Sequence, residues 1–402
     1  MVLRATHASS SFIISLKPHS LAVSRDDRHV VSWDLGGRLY CVYRDDVTWR
    51  RGLNGDVIEK RGSGASRSRS WLTPAEADAV VDGAATFARE TADAVLSPAW
   101  RWAAPVESVV AQVIVSHLQL CTQLDAARAR IDAGRFAAVY RPVGILPPDQ
   151  YLSLVVQATE GCAFNTCTFC DLYHDGYRVK SPDQFHAHVE KVRRYLGASI
   201  SLRSRGIFLG AANAMAVPMA TLVPVFETLV EELDAIPRGV CAFVDGFTGT
   251  KKTAGDYRML SHLGLRRVYI GLESGHDPLL AFIRKPGLAA DAAETACRIK
   301  AAGVHVGVIV MTGLGGERFA TGHVADTIAA VNQMHLGQGD LIYFSDLVEA
   351  ASTAYPRIAE REDVRPLSPF ARGAQRDAIR AGLRFGGPEP RFATYDIREF
   401  VY

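Results

Sequence analysis

Between residues 151 and 348 the sequence alternates short apolar runs with helical patterns, and this rhythm restricts the fold more than any other feature. Runs of apolar, β-branched and aromatic residues predict strands at residues 152–159, 206–210, 239–244, 267–272, 304–310 and 340–348. Helical patterns separate them at residues 181–196, 218–235, 252–263, 291–302 and 322–334. Strands connected through helices run parallel with right-handed crossovers, so this region predicts an α/β domain, layered or barrel-like.

The first part of the chain carries strand patterns of a different kind. They follow one another closely, and Asn54-Gly55 between two of them is a strong signal for a hairpin turn. An antiparallel meander is therefore expected over about residues 22–61, built from strands at residues 29–34, 38–44, 48–53 and 56–60.

A linker and helices are expected after this meander. Residues 61–70 are rich in glycine, serine and arginine, a composition typical of an exposed linker. Thr73, Pro74 and Glu76 together predict the start of a helix that runs to about residue 96. A second helix is expected over residues 106–133.

Length and charge restrict the function classes. A chain of 402 residues is long enough for two domains. Its net charge of +2 gives no general attraction to nucleic acid or to an anionic membrane, so nucleic acid is not expected as a partner. No apolar run reaches the ~18–20 residues that span a bilayer, and the polar N-terminus lacks a signal-peptide pattern. We therefore expect a cytoplasmic protein without membrane attachment.

Three of the seven cysteines, Cys162, Cys167 and Cys170, crowd into one short stretch. Soft sulfur ligands select zinc, Cu(I) or an iron–sulfur cluster. A structural zinc needs four ligands, and His174 has a plausible spacing for the fourth. A [4Fe–4S] cluster held by three thiolates keeps one iron open to a further molecule. Three reduced cysteines without a metal are the remaining alternative.

The position of the cysteines favours a catalytic centre. They follow directly on the first predicted strand of the α/β region. In such folds the loops after the carboxyl ends of the strands build the active site. A structural zinc site could lie anywhere in the fold, whereas a catalytic centre is expected at this edge.

With these cysteines and the motifs that follow them, the sequence resembles the radical S-adenosylmethionine (radical SAM) superfamily. The resemblance covers roughly residues 146–348. Cys167-Thr168-Phe169-Cys170 matches the second half of that family's cluster loop, whereas four residues instead of three separate Cys162 from Cys167. The wider spacing also occurs within the superfamily. The resemblance implies a partial (β/α)6 barrel similar to a TIM barrel, with one [4Fe–4S] cluster on the three cysteines.

Further motifs follow in the family's order, and the resemblance implies that they bind S-adenosylmethionine (SAM). They comprise a turn after the second strand, in which the family's usual Glu is missing, and the ends of the fourth and fifth strands. Phe169 is expected beside the cluster and the adenine. The other expected cofactor-binding residues are Gly210, Ala211, Ala212, Asn213, Glu273, Ser274, Gly313 and Gly315.

The resemblance also implies the reaction. One-electron reduction cleaves SAM to methionine and a 5′-deoxyadenosyl radical, which abstracts hydrogen from a substrate. A small biosynthetic intermediate is the expected substrate, and a flavodoxin or a ferredoxin is the expected electron donor. The other four cysteines have no cluster-like spacing, and no cobalamin-binding domain is evident, so neither a second cluster nor cobalamin is expected.

Candidates for catalysis come from position and residue type. His174 and Arg178 follow the cluster loop and are expected as acid/base or anion-binding groups, and Asp245 follows the third strand. Polar residues with weaker claims to the pocket are Gln157, Asp171, Tyr173, Tyr177 and Lys180. Cys241 on the third strand is expected to be a buried structural thiol rather than a hydrogen donor.

The expected organisation has three parts. Residues 1–145 form an accessory α+β domain, residues 146–348 the radical SAM core, and residues 349–402 an extension that packs on the core. Two other functions remain open. One is radical modification of tRNA or a peptide, with the arginine-rich stretch at residues 61–69 as a recognition element. The other is a non-catalytic, zinc-stabilised binding protein.

Overall fold

The computed structural model describes residues 1–62, 68–173, 176–233 and 239–402. The chain forms two compact units. The first contains Met1–Arg141, Glu190–Ser204 and Glu399–Tyr402, and the second contains Pro142–Val189 and Arg205–Arg398.

The first unit is built on an antiparallel sheet in which, among the described residues, nine strands pair in the order β8-β7-β6-β5-β4-β3-β2-β1-β9. Except for β9, each strand pairs with the strand before it in the chain, so the sheet is a meander. The strands are β1 (Val2–His7), β2 (Ser10–Lys17), β3 (Ser20–Arg25), β4 (His29–Asp34), β5 (Leu39–Arg44), β6 (Val47–Arg51), β7 (Val57–Arg61), β8 (Ser68–Trp71) and β9 (Arg101–Trp102).

Three helices lie entirely within this unit, counted in the described part of the chain: α1 (Pro74–Leu96), α2 (Ser108–Thr122) and α3 (Ala126–Val139). Apolar side chains of the sheet and of α1 and α2 share one core, in which Ile14, Trp33, Phe87 and Leu118 are almost fully buried. Burial of this apolar surface holds the helices against the sheet.

The sequence predicted this unit in part. The start of α1 is confirmed, since Thr73 and Glu76 form a complete capping box around the first turn. The meander is larger than expected, because it begins at Val2 rather than near residue 22. Within the predicted linker, residues 63–67 lie outside the described residues, whereas Ser68–Trp71 forms β8.

The single helix expected over residues 106–133 was wrong. Two helices occupy this region, and α3 starts anew because the Asp125 side chain accepts a hydrogen bond from the backbone N–H of Arg128. A local cap of this kind ends one helical run and begins another.

A buried ion pair lies inside the first unit. Arg38 donates two hydrogen bonds to the carboxylate of Asp132, at 2.8 and 2.9 Å. The same guanidinium donates to Oγ of Ser199 at 2.7 Å and to the carbonyl of Tyr195 at 3.0 Å. Arg38 therefore joins β4–β5, α3 and the segment around residue 199 within this unit.

The second unit contains a parallel sheet in which, among the described residues, seven strands pair in the order β10-β13-β14-β15-β16-β17-β18. Each pair is parallel. The unit also contains a small antiparallel pair formed by β11 and β12. The strands are β10 (Leu154–Gln157), β11 (Thr159–Glu160), β12 (Arg178–Val179), β13 (Ile207–Gly210), β14 (Val240–Val244), β15 (Leu265–Glu273), β16 (His305–Thr312), β17 (Leu341–Asp346) and β18 (Arg391–Tyr395).

Helices connect the successive strands of this sheet. The fully buried strands β10 and β13 fit a sheet covered on both faces. The helices are α4 (Pro182–Leu196), α5 (Met219–Leu233), α6 (Gly246–Gly249), α7 (Ala254–His262), α8 (Asp277–Phe282), α9 (Ala289–Ala301), α10 (Gly316–Gln333), α11 (Tyr355–Arg361) and α12 (Pro369–Gly382).

The parallel α/β prediction is confirmed. Each of the six predicted strands is present, within a few residues of its expected bounds. The sequence missed β18, which extends the sheet beyond β17 with residues expected only to pack on the core. Among the described residues, no helix is both long and apolar enough to cross a membrane.

The Arg38–Asp132 pair gives a test of the first unit. Asp132→Ala leaves a buried guanidinium without its main partner, which typically costs about 3 kcal/mol of the free energy of unfolding. The measurement is urea unfolding followed by tryptophan fluorescence, because all five tryptophans lie at residues 33–102 of this unit.

Asp78→Ala is the matched control for this test. It removes the carboxylate partner of Arg130, whose side chain is 67% exposed, and such a surface pair contributes only about 0–1 kcal/mol. Equal losses for the two variants would contradict a stabilising role of the buried pair.

Candidate metal and cofactor site

The cysteine loop begins where the parallel sheet places its first carboxyl end. After β10 and β11 the chain turns at Gly161, and Cys162, Cys167 and Cys170 follow as half-buried, free thiols. Within the described residues, no three His, Cys, Asp or Glu side chains are arranged to hold a metal ion. The fit of an iron–sulfur cluster therefore rests on donor type, since three reduced thiols on one loop are the ligands that it needs.

Hydrogen bonds anchor this loop around Cys167. The backbone N–H of Thr168 donates to the carbonyl of Ile283 at 2.9 Å, and its carbonyl accepts from the N–H of Tyr355 at 2.8 Å. The hydroxyl of Thr166 donates to the carbonyl of Arg284 at 3.0 Å. The segments after α8 and at the start of α11 thus fix the middle of the loop.

Burial keeps the thiols of Cys167 and Cys170 protonated in the absence of a metal. Burial raises the pKa of Cys167 to about 11, while the nearby charge of Lys285 partly opposes this effect. Burial also raises the pKa of Cys170. A bound metal must displace these protons, because only the thiolate is a ligand.

The turns after β13 and β14 meet. Asn213, buried after β13, accepts a hydrogen bond on Oδ1 from the N–H of Asp245 at 3.1 Å, and its Nδ2 donates to the carboxylate of Asp245. Asp245 also caps α6, accepting from the N–H of Thr248 at 2.7 Å. The structure therefore brings together two of the predicted site residues, Asn213 and Asp245.

The rest of the turn after β13 is less constrained. The N–H of Ala211 donates to Oγ1 of Thr159 at 2.9 Å, and the neighbouring Ala212 is half-buried. A Cβ added to Gly210 would meet its nearest neighbour, Val155, at 3.6 Å, an ordinary contact. Within the protein itself, space does not require glycine at position 210.

At the end of β15, Glu273 has a positive φ of 59°, and Nζ of Lys285 lies 3.4 Å from its Oε1. Ser274 follows and is fully buried, with its Oγ 2.7 Å from Nδ1 of His323 on α10. Next, the N–H of Gly275 donates to Oγ1 of Thr327 at 2.9 Å. Helix α10 therefore holds the chain that carries Glu273 and Ser274.

The glycine turn between β16 and α10 is held from the C-terminal part of the chain. Gly313 and Gly315 have φ values of 83° and 74°. The N–H of Gly313 donates to Oε1 of Gln375 at 2.8 Å, and the N–H of Gly315 donates to the hydroxyl of Tyr355 at 2.9 Å. Tyr355 thus bonds both to this turn and to the cysteine loop.

A cavity of about 280 Å³ opens beside this glycine turn. Its lining residues are Gly313, Leu347, Glu349, Pro366, Leu367 and Arg372. A mixed lining of apolar groups and a few charges is typical of small-molecule pockets.

The remaining candidate residues have these positions. Arg178 pairs with Glu160 at 3.0 Å with 60% of its side chain exposed, and Lys180 pairs with the same carboxylate at 2.7 Å. His174 lies outside the described residues. Phe169 is half-buried within the cysteine loop.

Three further candidates are engaged or enclosed. The backbone N–H of Gln157 donates to Nε2 of His188 at 3.0 Å, and the carboxylate of Asp171 accepts from the hydroxyl of Ser352. Tyr173, Gln157 and Gly210 line a small cavity of about 10 Å³, which is the least volume that can hold one water molecule.

The other two weaker candidates differ in exposure. Tyr177 is 37% exposed, and partial burial of its phenol raises its pKa. Cys241 is buried, and burial raises its pKa to about 12. A thiol with such a pKa stays protonated at neutral pH.

Sequence reasoning missed four residues that hold the site: Lys285, His323, Tyr355 and Gln375. None belongs to a motif, and two of them come from beyond residue 348. Lys285 lies 12 positions after Glu273 and gives no periodic signal, because a loop, and not one face of a helix, brings these two residues together.

Comparison with known proteins finds one matching family model. Residues 156–328 match the sequence model of the Radical SAM superfamily, which includes the cysteine loop and the ends of β13 to β16. No curated protein matches the chain.

Several solved structures resemble the chain. Coproporphyrinogen III oxidase (HemN) from Escherichia coli is 15% identical over 62% of this chain and 54% of its own, with a TM-score of 0.43. The radical S-adenosylmethionine methyltransferase TsrM from Kitasatospora setae is 14% identical over 52% and 39%, with a TM-score of 0.40. Elp3 from Methanocaldococcus infernus is 12% identical over 60% and 56%, with a TM-score of 0.38.

In each of these cases the chain covers less than two thirds of the other protein's length. TM-scores of this size support no conclusion about the substrate or the reaction of this chain.

The glycine turn gives a matched pair of substitutions. A Cβ at Gly316, where φ is 55°, would lie 2.0 Å from the carbonyl oxygen of Arg365, whereas a Cβ at Gly303, where φ is 75°, would meet nothing within 4 Å. Both alanine variants incur a left-handed backbone cost of about 1–2 kcal/mol. We expect Gly316→Ala to lose at least about 1 kcal/mol more, because the backbone must also move.

Thermal unfolding followed by circular dichroism measures this difference. Equal losses of stability for Gly316→Ala and Gly303→Ala would contradict the prediction, because they would show that the turn beside α10 accommodates the added Cβ without further cost.

His323 predicts a pH dependence of stability. Burial, with a smaller effect of His276, lowers the pKa of His323 from 6.5 to about 4. The unfolded chain therefore binds a proton first as the pH falls, and the folded state loses stability between about pH 6.5 and pH 4, by up to about 3 kcal/mol. We expect His323→Gln to flatten this part of the stability profile, measured as urea midpoints against pH. An unchanged slope would contradict the prediction.

Proposed function

Residues 156–328 of this chain match the radical SAM superfamily, and from that premise we propose that the chain is an enzyme of that class that abstracts hydrogen from a small biosynthetic intermediate. The observation that carries the proposal is the set of three free thiols on one anchored loop at the carboxyl end of β10, inside the family region. We further propose that its parallel sheet corresponds to the superfamily's partial (β/α)6 barrel.

The thiols of Cys162, Cys167 and Cys170 would hold one [4Fe–4S] cluster, with SAM at its open iron. When bound, this pair of cofactors supplies a one-electron cleavage of SAM that yields a 5′-deoxyadenosyl radical, the hydrogen-abstracting species. The cofactors carry the difficult chemistry, so the protein's work is binding, orientation and the exclusion of water.

Support for a SAM site comes from turns that lie at one edge of the sheet. Asn213 and Asp245 form one polar group, and Glu273 with Ser274 forms another. Gln375 and Tyr355 bond to two N–H groups of the glycine turn, and Gly313 also lines the 280 Å³ cavity. In parallel α/β folds this edge is where ligands bind.

The substrate class follows from size and charge. A cavity of about 280 Å³ suits part of a small molecule. A net charge of +2 gives no electrostatic preference for RNA. Arg178 pairs with Glu160 at the surface, so we propose Asp245 rather than Arg178 as the polar group nearer to the reaction.

The cellular setting belongs to the proposal as well. All seven cysteines are free, and each lies in the described part of the chain, which suits the reducing cytoplasm. Reduction would come from a one-electron donor such as a flavodoxin or a ferredoxin.

The cysteine assignment is tested on protein reconstituted anaerobically with iron and sulfide. Alanine at Cys162, Cys167 or Cys170 should abolish the EPR signal of the dithionite-reduced cluster and the formation of 5′-deoxyadenosine from SAM. Cys297→Ala is the control, because this half-buried thiol on α9 donates a hydrogen bond to the carbonyl of Gln333, away from the cysteine loop in the sequence, and should be dispensable. A full cluster in the Cys167→Ala variant would overturn the ligand assignment.

Isotope transfer tests the substrate class. The wild-type holoenzyme is incubated with fractions of an extract from fully deuterated cells, and deuterium in 5′-deoxyadenosine is measured by mass spectrometry. Transfer from the small-molecule fraction supports the proposal. Transfer from the RNA or peptide fraction alone would replace it with macromolecular modification.

A further inference from the structure

Lys285 is held in place by the same segment that anchors the cysteine loop. Its backbone N–H donates to the carbonyl of Leu280 at 2.9 Å, which fixes it directly after α8. The two preceding residues, Ile283 and Arg284, supply the carbonyls that accept from Thr168 and Thr166 of the cysteine loop. A movement of the loop that carries Cys167 would therefore move the segment that carries Lys285.

The ammonium group of Lys285 points inward. The side chain is 15% exposed, and its Nζ lies 3.4 Å from Oε1 of Glu273, whose side chain is 13% exposed. Gly271 makes this possible, because a Cβ there would lie 2.6 Å from Oε1 of Glu273 and 3.6 Å from Nζ of Lys285. The register of the β15–β16 pairing also shifts between Gly271 and Glu273, next to this ion pair.

Charge keeps this lysine protonated. Burial alone would lower the pKa of Lys285, but the carboxylate of Glu273, and to a smaller extent that of Asp245, outweighs it, so the pKa lies above its ordinary value. Lys285 in turn is the largest electrostatic influence on Cys167 and favours the thiolate. An inward cation at this position is costly unless negative charge faces it.

One carboxylate at 3.4 Å is a loose partner for such a cation. Three thiolates on the neighbouring loop would supply further negative charge, and each electron added to a cluster there would increase it. We propose that Lys285 is a positioning residue whose charge raises the reduction potential of the cluster held by Cys162, Cys167 and Cys170, with Glu273 acting in the opposite sense.

This inference rests on the proposed function. Its physical basis is that a nearby cation stabilises the more negative, reduced state, and that net charge and surroundings set the potentials of iron–sulfur clusters. The opposite signs of Lys285 and Glu273 make the effect recognisable, since a general loss of packing would not shift the potential in opposite directions for the two.

The test is a potentiometric titration of the reconstituted, SAM-free protein, with the EPR signal of the reduced cluster as the readout. Lys285→Gln should disfavour reduction by at least about tenfold, a shift of 59 mV to more negative potential for one electron. Lys285→Arg keeps the charge and should stay near the wild-type value. Glu273→Gln should shift the potential upward, and the double variant should lie between the two.

Arg284→Gln is the matched control. It removes a cation at the adjacent position, but its side chain is exposed, so water and salt screen its charge. It should leave the potential unchanged.

The outcomes separate the two proposals. A wild-type protein that forms no cluster overturns the proposed function and this inference with it. An intact cluster whose potential is the same in Lys285→Gln and wild type overturns the inference alone. If Lys285→Gln does not assemble a cluster, the Glu273→Gln variant provides the test. A cluster potential in Glu273→Gln that equals or lies below the wild-type value would also overturn the inference.

Discussion

The two hydrogen bonds of the Thr168 backbone are the constraint on which the second unit's functional edge depends. One ties the cysteine loop to the segment after α8, and the other ties it to Tyr355. From Tyr355 the connection continues through the phenol to Gly315 and the glycine turn. A loop without regular secondary structure thereby gains fixed neighbours on two sides, which lowers the entropy that it would lose on binding a cofactor.

Both units contain an inward arginine or lysine, and they neutralise it differently. Arg38 in the first unit has a bidentate carboxylate, a hydroxyl and a carbonyl, so its charge is fully engaged. Lys285 in the second unit has a single carboxylate at 3.4 Å. The first arrangement is what a structural ion pair needs, whereas the second leaves a field directed at the cysteine loop. A buried charge whose hydrogen bonds are all made therefore serves the structure, whereas one with few hydrogen bonds can influence a neighbouring site.

The sequence predicted the parts of this fold that local patterns determine. Strand and helix periodicity indicated the α/β unit, and the Thr73 capping box indicated the start of α1. The sequence-based prediction failed where a single side chain sets the boundary of a helix, as Asp125 does between α2 and α3. It also failed for β18, whose residues 391–395 lack the continuous apolar run of a central strand because they form an edge. For the site, motifs indicated the turns, but the residues that hold those turns contact them only through tertiary structure.

The position of β18 has a consequence for the growth of the sheet during synthesis. Apart from the small β11–β12 pair, strands join in the order in which they leave the ribosome, so each new strand covers the edge of the one before it. β17, with five consecutive buried residues, is followed by 44 residues before β18 begins at Arg391. At about 5–20 residues per second, its backbone edge stays open for several seconds. An unpaired apolar edge is a template for pairing with another chain, so the last strand protects the nascent chain from self-association.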